Sequence, residues 1–158
     1  MIIKKITTII IVCGMFVLMQ SCESGGGIET FSEEIKESYN GGMESHYMGD
    51  NCMNCHNSGG TGEGLFNVAG TVYDTSKVVA YPNTTVRLYT EPNGQGTLKY
   101  IFPVDGRGNF YSTKTIDFGS GLYATVQGGQ TTQYMPVSVT IGQCSSCHGV
   151  TEDKIWAK

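Results

Sequence analysis

Two short stretches repeat the same set of reactive side chains: Cys52-Met53-Asn54-Cys55-His56 and Cys144-Ser145-Ser146-Cys147-His148. Two thiols at this spacing, followed at once by an imidazole, suit three chemistries. They can join the two vinyl groups on one edge of a porphyrin while the imidazole binds its iron. They can serve as half of a zinc site. They can form a disulfide or a redox pair. A zinc ribbon has no use for the histidines, and roughly ninety residues separate the pairs, which is long for one shared ion. No βαβ pattern surrounds either pair, as a thioredoxin-like site would need. The expectation is therefore covalent haem, with Cys52, Cys55, Cys144 and Cys147 as thioether links and His56 and His148 as proximal iron ligands.

The distal side has few candidates. His46, six residues before Cys52, is the only other histidine. It is either a second axial ligand, to its own haem or a neighbouring one, or an exposed loop residue. Met135, beside Pro136 and twelve residues before Cys147, offers a thioether sulfur, which as an axial ligand raises the potential. Its alternative role is core packing. Met43, Met48 and Met53 are further candidates, the last inside the attachment loop itself. With three histidines and two proximal roles, two bis-His haems are impossible within one chain. One haem is His/Met or five-coordinate, or a partner lends a ligand.

Lys4 and Lys5 precede an apolar run, Ile6 to Met19, of the length of a secretory signal and short for a membrane span. It ends in Leu18-Met19-Gln20-Ser21-Cys22, which resembles the bacterial lipoprotein lipobox, although Gln20 stands where a small residue is usual. That resemblance implies a signal peptide over 1–21 and acylation of Cys22, and hence an exported chain anchored to a bacterial membrane by its lipid. The alternative is an ordinary signal peptide with a free Cys22. The whole chain carries 10 basic and 14 acidic residues. Removing 1–21 takes two of the basic ones and leaves 8 against 14, a net of −6. No basic stretch marks a nucleic-acid footprint.

The remaining chain must position the motifs. Residues 22–42 read as a tether and a short helix: Ser24 and three glycines, then a Thr30/Glu33 capping box with Phe31, Ile35 and Tyr39 on one face, stopped by Asn40-Gly41-Gly42. Residues 43–64 form the first haem-binding segment. Its Ser58-Gly59-Gly60-Thr61-Gly62 run lacks the lysine of a phosphate loop and reads as a tight exit where backbone approaches the macrocycle. Residues 65–140 alternate short β-rich runs with turns. Strands are expected near Phe66–Tyr73, Thr85–Thr90, Leu98–Pro103, Asn109–Thr113, Leu122–Gln127 and Thr132–Thr140. Pro92-Asn93-Gly94 and Asp105-Gly106 are turn signals. The fold class is thus mainly β, a small antiparallel β-sandwich flanked by two haem-binding segments, the second over 141–158. Trp156 is a candidate cover for the second haem.

The order GTVYD, TTVRLYT, DGRGNFYST and LYATV resembles carboxypeptidase-regulatory-like or transthyretin-like β-sandwich modules, over about half of the chain. The paired motifs, with SHYMGDNCMNCHNSGG around the first, resemble dihaem members of the multihaem c-type cytochromes. That likeness implies two covalently attached haem c groups, electron transfer in a respiratory or extracellular chain, and redox partner proteins such as other cytochromes. It implies a site at the periplasm or cell surface, the outer membrane being the expected anchor. It requires no small-molecule substrate, no nucleic acid and no enzymatic activity, and leaves an oligomer open. Two other readings stay open: a haem enzyme of peroxidase or nitrogen-oxide reductase type, which needs an open iron position, and an interaction module that carries haems.

Overall fold

Seven strands arise where β-branched and aromatic residues lie between turns, in a computed structural model that describes residues 34–158. The export segment, Cys22, the glycine tether and the Thr30, Phe31 and Glu33 signals lie outside the described residues. The strands are β1 (Val68–Thr71), β2 (Thr85–Tyr89), β3 (Leu98–Pro103), β4 (Asn109–Ser112), β5 (Tyr123–Gln127), β6 (Thr132–Tyr134) and β7 (Gly142–Gln143). They form a three-stranded sheet, β4-β1-β7, and a four-stranded sheet, β3-β2-β5-β6. The fold is mainly β and consistent with a small β-sandwich.

One core unites the sheets. Val68 and Phe110 from the first, with Val72 just past β1, meet Val86, Leu88, Phe102 and Val126 from the second, with Val104 just past β3. Strand β2 reads inward and outward alternately, Val86 and Leu88 buried between half-buried neighbours, as its sequence alternates. Phe102 and Phe110 are the largest of the fully buried side chains. Truncating either to alanine costs about 3–5 kcal/mol.

Three expectations need correction. The described part of the expected helix, 34–39, is extended. Glu37 bridges Ser112 of β4, and the Ser38 amide donates to the Tyr111 carbonyl at 3.0 Å. An open β4 edge offers these backbone groups partners that a single amphipathic turn of helix cannot match. The last expected strand stops at Tyr134, because Pro136 has no amide for a ladder. The first sheet is also not purely antiparallel: β7 pairs with β1 in parallel, Val68 opposite Gly142. This pairing needs glycine, since a Cβ on Gly142 would lie 2.0 Å from the Asn67 carbonyl oxygen.

Strand β1 is buried along its whole length, including Thr71, where alternation predicts an exposed face. Both faces of its sheet are covered. Val68, Gly70 and Phe110 face the core, while Thr71 and its register partner Asn109 lie under the segment that precedes the first motif.

Candidate functional site

Each motif is wound into one short 3-10 turn, Cys52–Asn54 and Cys144–Ser146. The two turns share their hydrogen bonds. The Cys52 carbonyl accepts from the Cys55 and His56 amides at 3.2 and 2.9 Å, and the Cys144 carbonyl accepts from Cys147 and His148 at 3.3 and 3.0 Å. In both, the first cysteine is half-buried and the second exposed. Burial pushes the Cys52 thiol above its ordinary pKa and pushes Cys144 up to about 12.

The imidazoles are held alike. His56 Nδ1 lies 3.0 Å from the Glu63 carbonyl oxygen and 3.2 Å from that of Gly64. His148 Nδ1 lies 2.6 Å from the Asp153 carbonyl oxygen. A carbonyl only accepts, so each bond requires the proton on Nδ1. In the neutral ring this leaves the Nε2 lone pair for a metal, the arrangement by which proteins orient histidine ligands. In each case the chain after the histidine turns back to supply the acceptor. At the first motif this return passes so close that a Cβ on Gly62 would meet the His56 ring at 2.7 Å, and one on Gly60 would meet the Cys55 oxygen at 1.9 Å. The glycine run therefore lets backbone approach His56 and its turn.

His56 is 9% exposed and stacks on Phe66, ring centroids 4.0 Å apart and planes within 5°. Phe66 in turn stacks on Tyr111 of β4 at 4.8 Å. His46 is brought to the same place: its ring centroid is 5.9 Å from that of His56. A buried polar network fixes the segment carrying His46. Asn109 Nδ2 donates to Ser45 Oγ at 2.9 Å and to the His46 carbonyl at 3.4 Å; Thr71 Oγ1 donates to Asn109 Oδ1 at 2.6 Å and accepts from the Gly49 amide at 2.9 Å. His46 is exposed, and the exposed Tyr47 ring meets it edge-on at 4.9 Å.

The second motif opens into an apolar cavity of about 300 Å³ between the sheets. Cys144, Cys147 and His148 line one part of it; Val68, Leu88 and Phe110 of the core line another. Met135, half-buried just past the end of β6, and Trp156 also line it. The size and apolar lining suit a flat organic cofactor. At the second motif the thiol pair, the oriented imidazole and the apolar wall fit the haem group that the motif implies; at the first, the thiol pair and the oriented imidazole do.

The two motifs are not at opposite ends of the sandwich. Both pack against β1. The turn Cys52–Asn54 precedes that strand in sequence, and β7 delivers Cys144 to its other edge. The closing segment is stitched to the same strand's extension: the Tyr73 amide donates to the Ile155 carbonyl and the Ala157 amide to the Tyr73 carbonyl, each at 2.8 Å. Cys52 lies near enough that its charge helps raise the Cys144 pKa, after burial and Cys147. A cleft of about 230 Å³ is lined by Met48, Gly49 and Asp50 from the first segment and Ser145 and His148 from the second. Lys154, 4.2 Å above the Tyr73 ring, borders both cavities.

Of the candidate residues, the structure thus brings His46 beside His56, places Met135 and His148 along the same cavity, and keeps Met53 within its turn. Among the described residues no three His, Cys, Asp or Glu side chains converge as a metal group, and the four cysteines are free thiols. The carbonyl acceptors of Glu63, Gly64 and Asp153 have no sequence signal, because every residue type carries that group. No protein-family model matches this chain, and no curated protein or solved structure does either.

Proposed function

We propose that this chain is an exported dihaem c-type cytochrome that carries electrons, anchored to a bacterial membrane through lipid on Cys22. The observation that supports it most is the duplicated geometry: two Cys-x-x-Cys-His turns of the same hydrogen-bond pattern, each with its imidazole Nδ1 bonded to a carbonyl. When bound, haem supplies a ferric–ferrous couple. Cys52 and Cys55, and Cys144 and Cys147, would hold it through thioethers. His56 and His148 would supply the proximal nitrogens, with the returning loops fixing both imidazoles and Phe66 the plane of His56. His46 and Met135 are the distal candidates, one for each site, which would give the two sites unlike ligand sets. A thioether ligand at the second site would hold its potential above the first.

The shared strand favours electron transfer over catalysis at two independent centres. Two redox sites side by side on β1 can exchange electrons without a mobile carrier. The acidic net charge favours a partner with a basic docking face, and partner rates then fall as salt rises.

Stopped-flow mixing separates this reading from a haem enzyme. The reduced protein is expected to give up two electrons per chain to a small ferric oxidant, with no turnover of hydrogen peroxide or nitrite. Rapid turnover of either, together with an open iron position, would replace carrier by enzyme.

A further inference from the structure

Lys36–Glu63 at 2.5 Å and Lys77–Asp153 at 2.6 Å are the ion pairs found among the described residues. Each carboxylate belongs to a residue whose main-chain carbonyl accepts the Nδ1 proton of a motif histidine: Glu63 for His56, Asp153 for His148. We infer that these two pairs are matched clamps that set the imidazole hydrogen bonds, and through them the reduction potentials of the two sites. The inference rests on the haem reading above.

The two return loops differ in length and sequence, yet each ends in a carboxylate pinned by a distant lysine. Both lysines sit on backbone that is itself held. Lys36 exchanges bonds with Thr113: its amide donates to Thr113 Oγ1, and its carbonyl accepts from the Thr113 amide, both at 2.9 Å. The Lys77 amide donates to the Asp74 carbonyl at 2.9 Å. The carboxylates are 89% and 81% exposed, and pairs in that setting contribute little to stability. What they can do is hold a loop carbonyl against an imidazole. A firmer Nδ1–H bond makes the ring a stronger donor through Nε2, which favours ferric iron and lowers the potential. Glu63 and Asp153 are thus positioning residues, and Lys36 and Lys77 their anchors.

The test compares Lys36→Met, Glu63→Gln, Lys77→Met and Asp153→Asn in the haem-loaded protein by spectroelectrochemical titration. A clamp loosened from either side raises the potential. Lys36→Met and Glu63→Gln are expected to move one of the two potentials upward. Lys77→Met and Asp153→Asn are expected to move the other upward. Each shift should appear as a severalfold gain in the ferrous-to-ferric ratio at fixed applied potential, with the melting temperature unchanged. The exchanged pair Lys36→Glu with Glu63→Lys should restore the original value. A bare charge effect gives opposite signs, lysine loss lowering and carboxylate loss raising the potential, and would overturn the inference. So would potentials unmoved in all four variants, or shifts that track a loss of folding. If the chain carries no covalent haem, the haem reading fails by itself. The clamps are then judged on the haem-free chain by imidazole ¹⁵N shifts: Lys36→Met must move His56 protons from Nδ1 to Nε2, and an unchanged tautomer overturns them.

Discussion

Four thiols in two copies of one spacing do not share one reactivity. Cys52 and Cys144 are half-buried with raised pKa values, while Cys55 and Cys147 are exposed. Only the thiolate attacks an alkylating agent. In haem-free protein at neutral pH, peptide mapping after brief iodoacetamide treatment should find Cys55 and Cys147 labelled well before Cys52 and Cys144. Equal labelling of Cys144 and Cys147 would show that the second turn does not hold Cys144 against β1. The distal ligands make a second prediction at this scale. Met135→Leu should abolish a thioether-to-iron charge-transfer band and leave the other site's spectrum untouched. His46→Ala should turn the other site high-spin. The two motifs were legible from spacing alone, because residue type and interval can be read along the chain. The Nδ1 acceptors were not, since a backbone carbonyl leaves no trace in side-chain identity. Phe66 and Tyr111 read as strand aromatics, and only register makes them a stack behind His56.

Strand β1 is the element on which both sites depend. Its neighbour β7 has only two residues, and they lie in the segment 141–158, where no strand was expected. The reason is physical. A parallel pair this short is specified by the close approach that Gly142 permits, and a single glycine among 22 is a weak signal. Strands β1, β2 and β3 were legible because they alternate or are bounded by turns; alternation did not show that Thr71 of β1 is buried, where it serves the polar network beneath His46. Gly142→Val should cost about 3 kcal/mol in urea unfolding, since a side chain there meets backbone with no room to yield. It should also reduce haem loading at Cys144 and Cys147 more than at Cys52 and Cys55. Equal loading at both motifs would show that β7 does not deliver the second site. The lost helix over 34–39 makes the complementary point: Ile35 and Tyr39 have helical spacing but are 59% and 53% exposed, so that face has nothing to bury against.

At the scale of the molecule, the second segment is part of the sandwich and not an appendage. Its cavity reaches Val68, Leu88 and Phe110, which are also core residues, and Ala157 is fully buried. A cofactor that binds there stabilises the folded state by mass action and by burial. Haem-free protein should therefore melt lower and exchange amide hydrogens faster over 141–158. Each kcal/mol lost moves the midpoint by roughly 4 °C in a domain of this size. Unchanged protection in that segment would mean that the β7 and Tyr73–Trp156 pairings hold it unaided. Sequence could supply the order of the segments along the chain. It could not supply their adjacency, because that follows from which strand edges meet.

The most direct measurement is the reduced-minus-oxidised absorption spectrum of the exported protein, with haem counted per chain after denaturation. Two haems retained through denaturation, with a low-spin c-type spectrum, are the expected result. A chain that retains no haem would contradict the account and turn attention to zinc content and thiol state.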